Sequence, residues 1–274
     1  MELEIITIYC ICEDFLNAAG HPDDPQCRMS TAEVMTTALV AAHFFSGNHE
    51  MSRNFLSEYG YIPDMLSKSR FTRRLHRIPE SLWRSFTEMF ALAAHDCNHL
   101  KIYLTDSFPV PVCRNIRIKN CRIYQDEEFR GYNSSKKEYF YGLKAHLLIS
   151  ESGIPVEIFL SPGSYPDTSS LYDFTFPLPE GSVVYGDKAY NVYDIEDELK
   201  EREITLMPIR KKNSRRGYDF LTGAGIGYVR KKIETVFSLI ERKLPAHIHA
   251  VTHRGFELKT LLFILTCGLQ AAVL

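Results

Sequence analysis

Two apolar runs separated by a tight turn constrain this chain more than any other feature. Tyr139 to Ile149 and Pro155 to Leu160 flank Glu151-Ser152-Gly153. A turn that short joins only antiparallel neighbours, so the segment reads as a β-hairpin, ended by Pro162-Gly163-Ser164. A further run, Ser182 to Asp187, precedes a helical pattern from Asn191 to Arg202 and another run from Ile204 to Ile209. That succession is a βαβ unit, whose strands lie parallel. Lys101 to Asp106 supplies one more strand before the hairpin. Residues 107–138 read as irregular, because they carry Pro109, Pro111 and dense charge. An antiparallel hairpin and a parallel pair in one chain predict a mixed α/β sheet covered by helices. Two helical patterns, Tyr228 to Lys243 and Phe256 to Val273, close the chain.

The first hundred residues have a different period. Ser30-Thr31-Ala32-Glu33 has the spacing of a capping box, and Val34, Ala38, Ala41, Ala42 and Phe45 follow at helical intervals until Gly47-Asn48. Met51 to Tyr59 forms a second short helix, stopped by Gly60 and Pro63. Ser67 to Arg77 forms a third, and Pro79 opens a fourth through Leu82, Phe86, Phe90 and Ala94. The expected division is a helical region over 1–99 and a sheet-containing domain over 100–274.

A net charge of −2 gives no global positive field, so any nucleic-acid binding must come from local basic patches. The seven cysteines are odd in number and form no CxxC pair, which predicts reduced thiols. The start, Met-Glu-Leu-Glu, lacks a basic leader. The apolar stretches Val34 to Phe45 and Leu261 to Leu274 are too short to span a bilayer. A cytoplasmic protein with no membrane partner is therefore expected.

Three acids stand out against this frame. Asp106 and Asp187 each close a strand run, and Glu234 lies in the helix from Tyr228 to Lys243. Taken singly, an Asp after a strand is an ordinary turn residue, and a Glu on a basic helix is an ordinary ion-pair partner. Their order changes the reading. Sites on such sheets gather at the carboxyl ends of strands, so parallel neighbouring strands would bring Asp106 and Asp187 together. On the helix, Val229, Ile233, Val236, Phe237, Ile240 and Leu244 share an apolar stripe, and Glu234 sits at its border. Three carboxylates so placed suit a hard divalent cation and metal-assisted phosphodiester chemistry.

Two basic segments complement them. Lys68, Arg70, Arg73, Arg74 and Arg77 cluster on one helix among short helices that suit a helix-turn-helix arrangement. Arg210, Lys211, Lys212, Arg215 and Arg216 follow the last strand. Such clusters neutralise phosphates in a salt-dependent way; the bland alternative is a solvated charged face. Other constellations carry less. His95-Asp96-Cys97-Asn98-His99 has a zinc-like spacing but an Asp where HExxH has Glu. His247, His249 and His253 fall near Pro245 and Gly255, where ordinary polar roles are expected. Gly223-Ala-Gly-Ile-Gly227 reads as a flexible hinge. Asn133-Ser134-Ser135 is a glycosylation sequon without a secretory route.

Four words then place the chain: Thr-Asp-Ser-Phe-Pro-Val-Pro-Val-Cys (105–113), Tyr-Gly-Leu-Lys-Ala-His-Leu (141–147), Gly-Asp-Lys-Ala-Tyr (186–190) and Arg-Lys-Lys-Ile-Glu-Thr-Val-Phe-Ser (230–238). Over roughly residues 50 to 274 the chain resembles DDE transposases of bacterial insertion sequences, whose catalytic domain is ribonuclease H-like. The resemblance implies a ribonuclease H-like mixed sheet flanked by helices, with an N-terminal helical DNA-binding region. It implies Asp106, Asp187 and Glu234 as catalytic and metal-binding triad, with Mg²⁺ or Mn²⁺, as two ions, for cleavage and strand transfer. Its partners would be double-stranded DNA, namely element terminal repeats and target, near the bacterial nucleoid; joining two ends is compatible with a homodimer. Arg230, Lys231 and the 210–216 cluster would hold the DNA backbone. Arg230 stands four residues before Glu234, as a signature of related families has it. The Lys position of that signature holds Glu241, with Arg242 and Lys243 just beyond. A metal-dependent nuclease on the same fold, and a non-catalytic DNA-binding derivative, are the rival readings.

Overall fold

The computed structural model describes residues 1–134 and 136–272, leaving aside the side chains at 97, 115, 220, 221, 224, 227, 228 and 230. Five helices open the chain: α1 (Glu2–Ala18), α2 (Thr31–Phe44), α3 (His49–Glu58), α4 (Lys68–Arg77) and α5 (Glu80–Cys97). The Ser30 cap forms as read: Ser30 Oγ accepts from Glu33 N at 3.1 Å, and the Glu33 carboxylate accepts from Ser30 N at 2.6 Å. Asn48 caps α3 through Glu50 N and Met51 N. Helix α1 buries Ile5, Ile8, Cys12, Phe15 and Leu16, which recur at helical spacing.

The sheet has six strands: β1 (Ile102–Arg114), β2 (Arg130–Asn133), β3 (Glu138–Ser150), β4 (Pro155–Pro162), β5 (Val183–Gly186) and β6 (Thr205–Pro208). Along one edge of β3 lies β1, antiparallel; along the other lie β2 and then β4, also antiparallel. On its far side β1 pairs in parallel with β5, which pairs in parallel with β6. The short helix α6 (Asp167–Ser170) follows β4, and α7 (Tyr193–Glu201) links β5 to β6. Helices α8 (Phe220–Lys243) and α9 (His253–Ala272) complete the chain. The expected mixed sheet, its flanking helices and the N-terminal helical region are thus all present.

Two expectations need correcting. The first strand does not stop at Asp106. It runs on through both prolines to Arg114, because β5 accompanies β1 only to Thr105, opposite Gly186. Beyond that point β1 has one open edge, where a proline without an N–H costs no ladder bond. The glycine-rich stretch 223–227 is no hinge either. It lies inside α8, which starts earlier than its apolar stripe because Asp219 caps it, accepting from Thr222 N at 2.9 Å.

One buried apolar cluster runs through both halves of the chain. Helix α9 is its axis. It is long and apolar enough to cross a membrane by length and composition alone, but Phe256 and the run Leu262 to Leu269 are buried. It packs on α2, α5 and β4. Glycines permit this closeness: a Cβ on Gly268 would fall 2.7 Å from Pro155 of β4, and one on Gly47 would fall 2.8 Å from the Phe263 ring.

Gly142 plays the same part between β1 and β3. It faces the register shift at Pro111/Cys113, and an added Cβ would stand 2.4 Å from Val110 O and 2.8 Å from Val112 N. Both neighbours are backbone and cannot swing away. Gly142→Ala is therefore expected to cost about 1–3 kcal/mol, read as a lower urea midpoint at unchanged slope. An unchanged midpoint would show that the strand pair opens there without penalty.

Candidate active site

Asp106 sits one residue past the last β1–β5 pair, Thr105 opposite Gly186. Asp187 follows Gly186 directly, so the two acids leave adjoining parallel strands at the same level. The open edge of β1 leaves the Ser107 N–H without a strand partner, and the Asp106 carboxylate takes it at 2.8 Å. A single 3-10 turn, Lys188–Tyr190, holds Asp187 from its C-terminal side; Tyr190 N closes the turn by donating to Asp187 O at 3.1 Å. The turn swings the Tyr190 ring into the core over Gly186, where an added Cβ would meet the ring at 3.0 Å and Thr105 at 3.1 Å. The Tyr190 hydroxyl and Thr105 Oγ1 are both buried there.

Glu234 is exposed on α8, whose buried side carries Ile233, Phe237 and Ile240. Among the described residues, ion pairs tie that helix at Lys232 to Glu151 in the hairpin turn and at Glu241 to Lys136 at 3.7 Å. Glu234 lines a groove with Lys231, Thr235, Ser238, Leu239 and Arg242. Its charge reaches the sheet. The Asp106 carboxyl is pushed up to about 7, first by burial and then by the like charges of Asp187, Asp167 and Glu234.

Asp167 was not foreseen, and neither was Lys144, which pairs with it at 3.1 Å. Lys144 lies inside the word Tyr-Gly-Leu-Lys-Ala-His-Leu, but no spacing in the sequence joins it to Asp167. No group of three His, Cys, Asp or Glu residues among the described ones closes to metal-holding distance. The donor chemistry nevertheless fits a hard cation: oxygens alone, with the Asp106 carboxyl pushed up first by burial and then by its acidic neighbours, a penalty on its charged form that a divalent ion relieves.

The basic residues divide into two kinds. On α4, Arg70, Arg73 and Arg77 are exposed and line a cleft with Arg74, Arg28 and Leu66. Lys68 pairs with Glu50 at 2.6 Å, and Arg74 turns inward, donating to Met29 O at 3.0 Å and Cys27 Sγ at 2.6 Å. In the second cluster, Arg210 is spent on Glu196 at 2.5 and 2.9 Å and lies 4.7 Å over the Tyr218 ring. Arg216 is spent on Asp197 at 2.7 and 2.8 Å. Lys211, Lys212 and Arg215 are exposed and make no side-chain ion pair among the described residues. Lys231 shares the groove of Glu234, whereas Lys243 acts on His43 and Cys267, towards α2 and α9. The Arg230 side chain lies outside the described residues. His95 bonds Tyr103 Oη at 2.7 Å and Pro177 O at 2.9 Å, an ordinary polar role.

The raised carboxyl of Asp106 gives a signed pH dependence. Its folded value lies above the ordinary 3.8, so the native state holds the proton more tightly than the unfolded chain. Stability from this group is present at low pH and is lost as pH rises from about 4 to about 7. In metal-free buffer, Asp106→Asn is expected to raise the melting temperature over wild type at pH 8, with the gap closing by pH 4. An equal gap at both pH values would refute the raised carboxyl of Asp106.

Comparison with known proteins gives a family and distant likenesses among solved structures. The family model described as Transposase DDE domain matches residues 96–255. No curated protein matches the chain. Similar solved structures include a piggyBac transposase synaptic complex with hairpin DNA, at 11% identity and a TM-score of 0.47, covering 96% of this chain and 71% of that one. Another is a Mos1 transposase paired-end complex with left transposon end, at 12% identity and a TM-score of 0.27, covering 92% and 82%.

Proposed function

Because this chain belongs to the transposase DDE-domain family, we propose that it is a DNA transposase acting at the ends of a bacterial insertion sequence by metal-dependent cleavage and strand transfer. One observation carries this reading. Asp106 and Asp187 leave adjoining parallel strands side by side, and the charge of Glu234 on α8 reaches Asp106. Mg²⁺ or Mn²⁺, expected as two ions held by Asp106, Asp187 and Glu234, supplies polarisation of the phosphate and charge neutralisation at the reacting oxygens.

The chain's own residues do the rest. Lys231 and Arg242, beside Glu234, hold the phosphodiester backbone against the carboxylates. Arg70, Arg73 and Arg77 grip the duplex from the helical region over 1–99, while Lys211, Lys212 and Arg215 add contacts beyond β6. These contacts position DNA without reading its bases. Water attacks the phosphodiester at the element's end, the bond to the 3′ oxygen breaks, and a 3′-OH is released. That hydroxyl then attacks a phosphodiester of target DNA, forming a new P–O bond while the target's own bond to its 3′ oxygen breaks and that oxygen leaves as a 3′-OH. Two ends joined in one event suit a homodimer.

The test is a labelled duplex carrying the element's own terminal repeat, incubated with the protein and Mg²⁺ or Mn²⁺. Metal-dependent nicking at the repeat boundary, followed by joining to target, is expected for wild type and abolished in Asp187→Ala. Cutting without joining would make the protein a nuclease; binding without cutting would make it a DNA-binding derivative. Arg70, Arg73 and Arg77 changed together to Ala are expected to flatten the salt dependence of DNA binding by roughly 0.9 in log–log slope per phosphate contact removed. An unaltered slope would take α4 out of the DNA interface.

A further inference from the structure

Behind Asp106, three side chains from separate elements are bonded in series. Lys144 of β3 donates from Nζ to Tyr165 O at 2.7 Å and to Asp167 Oδ1 at 3.1 Å. The same Asp167 oxygen accepts from Ser107 Oγ at 2.7 Å. Ser107 is the residue whose N–H holds the Asp106 carboxylate at 2.8 Å. The Lys144 side chain is 17% exposed and that of Asp167 34%, so solvent screens this pair less than it would a surface pair. Ser107 lies past the end of β5, where β1 has lost a neighbour. There the strand ladder alone does not hold the backbone on that side, and a side-chain tether has a physical task.

We propose that Lys144, Asp167 and Ser107 are positioning residues forming a tether that fixes the backbone at Ser107 and so aims the Asp106 carboxylate at the cation. The proposal rests on the triad reading above. Groups bonded behind a metal-ligating carboxylate set its orientation, and removing one weakens metal binding by about 10–100-fold.

The experiment is calorimetric titration of the full-length protein with Mn²⁺, without DNA, alongside thermal melts in metal-free buffer. Asp167→Ala removes the middle of the tether, and Ser107→Ala cuts its last link while sparing the Lys144–Asp167 pair. Each is expected to weaken Mn²⁺ binding about tenfold or more while the metal-free melt stays close to wild type. Asp167→Asn, which keeps an oxygen for Ser107, should recover part of the loss. A lowered melt with wild-type Mn²⁺ affinity would mean a purely structural link and overturn the tether. Should Asp167→Ala fail to fold, Ser107→Ala decides in the same terms. If wild type binds no Mn²⁺ that Asp187→Ala abolishes, the triad reading itself fails, a result distinct from failure of the tether.

Discussion

Two neighbouring strands of unequal length set up the whole site. β5 ends at Gly186, whereas β1 continues to Arg114. At that step β1 loses a partner, the Ser107 N–H turns to the Asp106 carboxylate, and room opens for Asp187 and the turn behind it. A sheet edge in mid-strand would ordinarily invite pairing with another chain. Here Pro109 and Pro111 lie on the unaccompanied stretch, and a proline offers no N–H to a new partner. The same break therefore creates the acidic site and guards the exposed strand.

The electrostatics arise from that placement. Asp106 is more enclosed than Asp187 and Glu234 and feels the charge of three acids, so burial and repulsion together disfavour its charged form. Lys144 neutralises part of the surrounding charge through Asp167, but it stands on the Ser107 side of β1 and leaves the triad acidic. Among the basic residues beyond β6, Arg210 and Arg216 neutralise Glu196 and Asp197 on α7. Their work is to fasten the segment after β6 to the sheet's flank, which leaves a smaller set of exposed cations to meet a phosphate backbone.

Much of this was legible in the sequence because it is local. The Ser30 box depends on neighbours three residues apart, and the hairpin around Glu151-Ser152-Gly153 and the βαβ unit each depend on elements consecutive in the chain; each formed where its pattern lies. The features that escaped depend on distant partners. Prolines argued for an end of β1 at Asp106, and only the length of β5 shows why they are tolerated. β2 has four residues, Arg-Gly-Tyr-Asn, too few for an alternating pattern. Asp167 joins Ser107 from 60 positions away, and Arg216 joins Asp197 from 19. A basic run in a sequence does not reveal which of its members are already matched by acids.

Helix α9 comes last in the chain yet lies between the first helices and the sheet, touching α2 through Phe263 near Gly47 and β4 through Gly268 against Pro155. Its contacts are fitted to the bare backbone of two glycines, one in each half. The helical region cannot therefore be exchanged for that of a relative like a cartridge. A foreign region would have to bring its own glycine opposite Phe263, or the shared seam would be forced apart. Changes in the N-terminal helices and in the sheet that bears the acids are thereby bound to a common history.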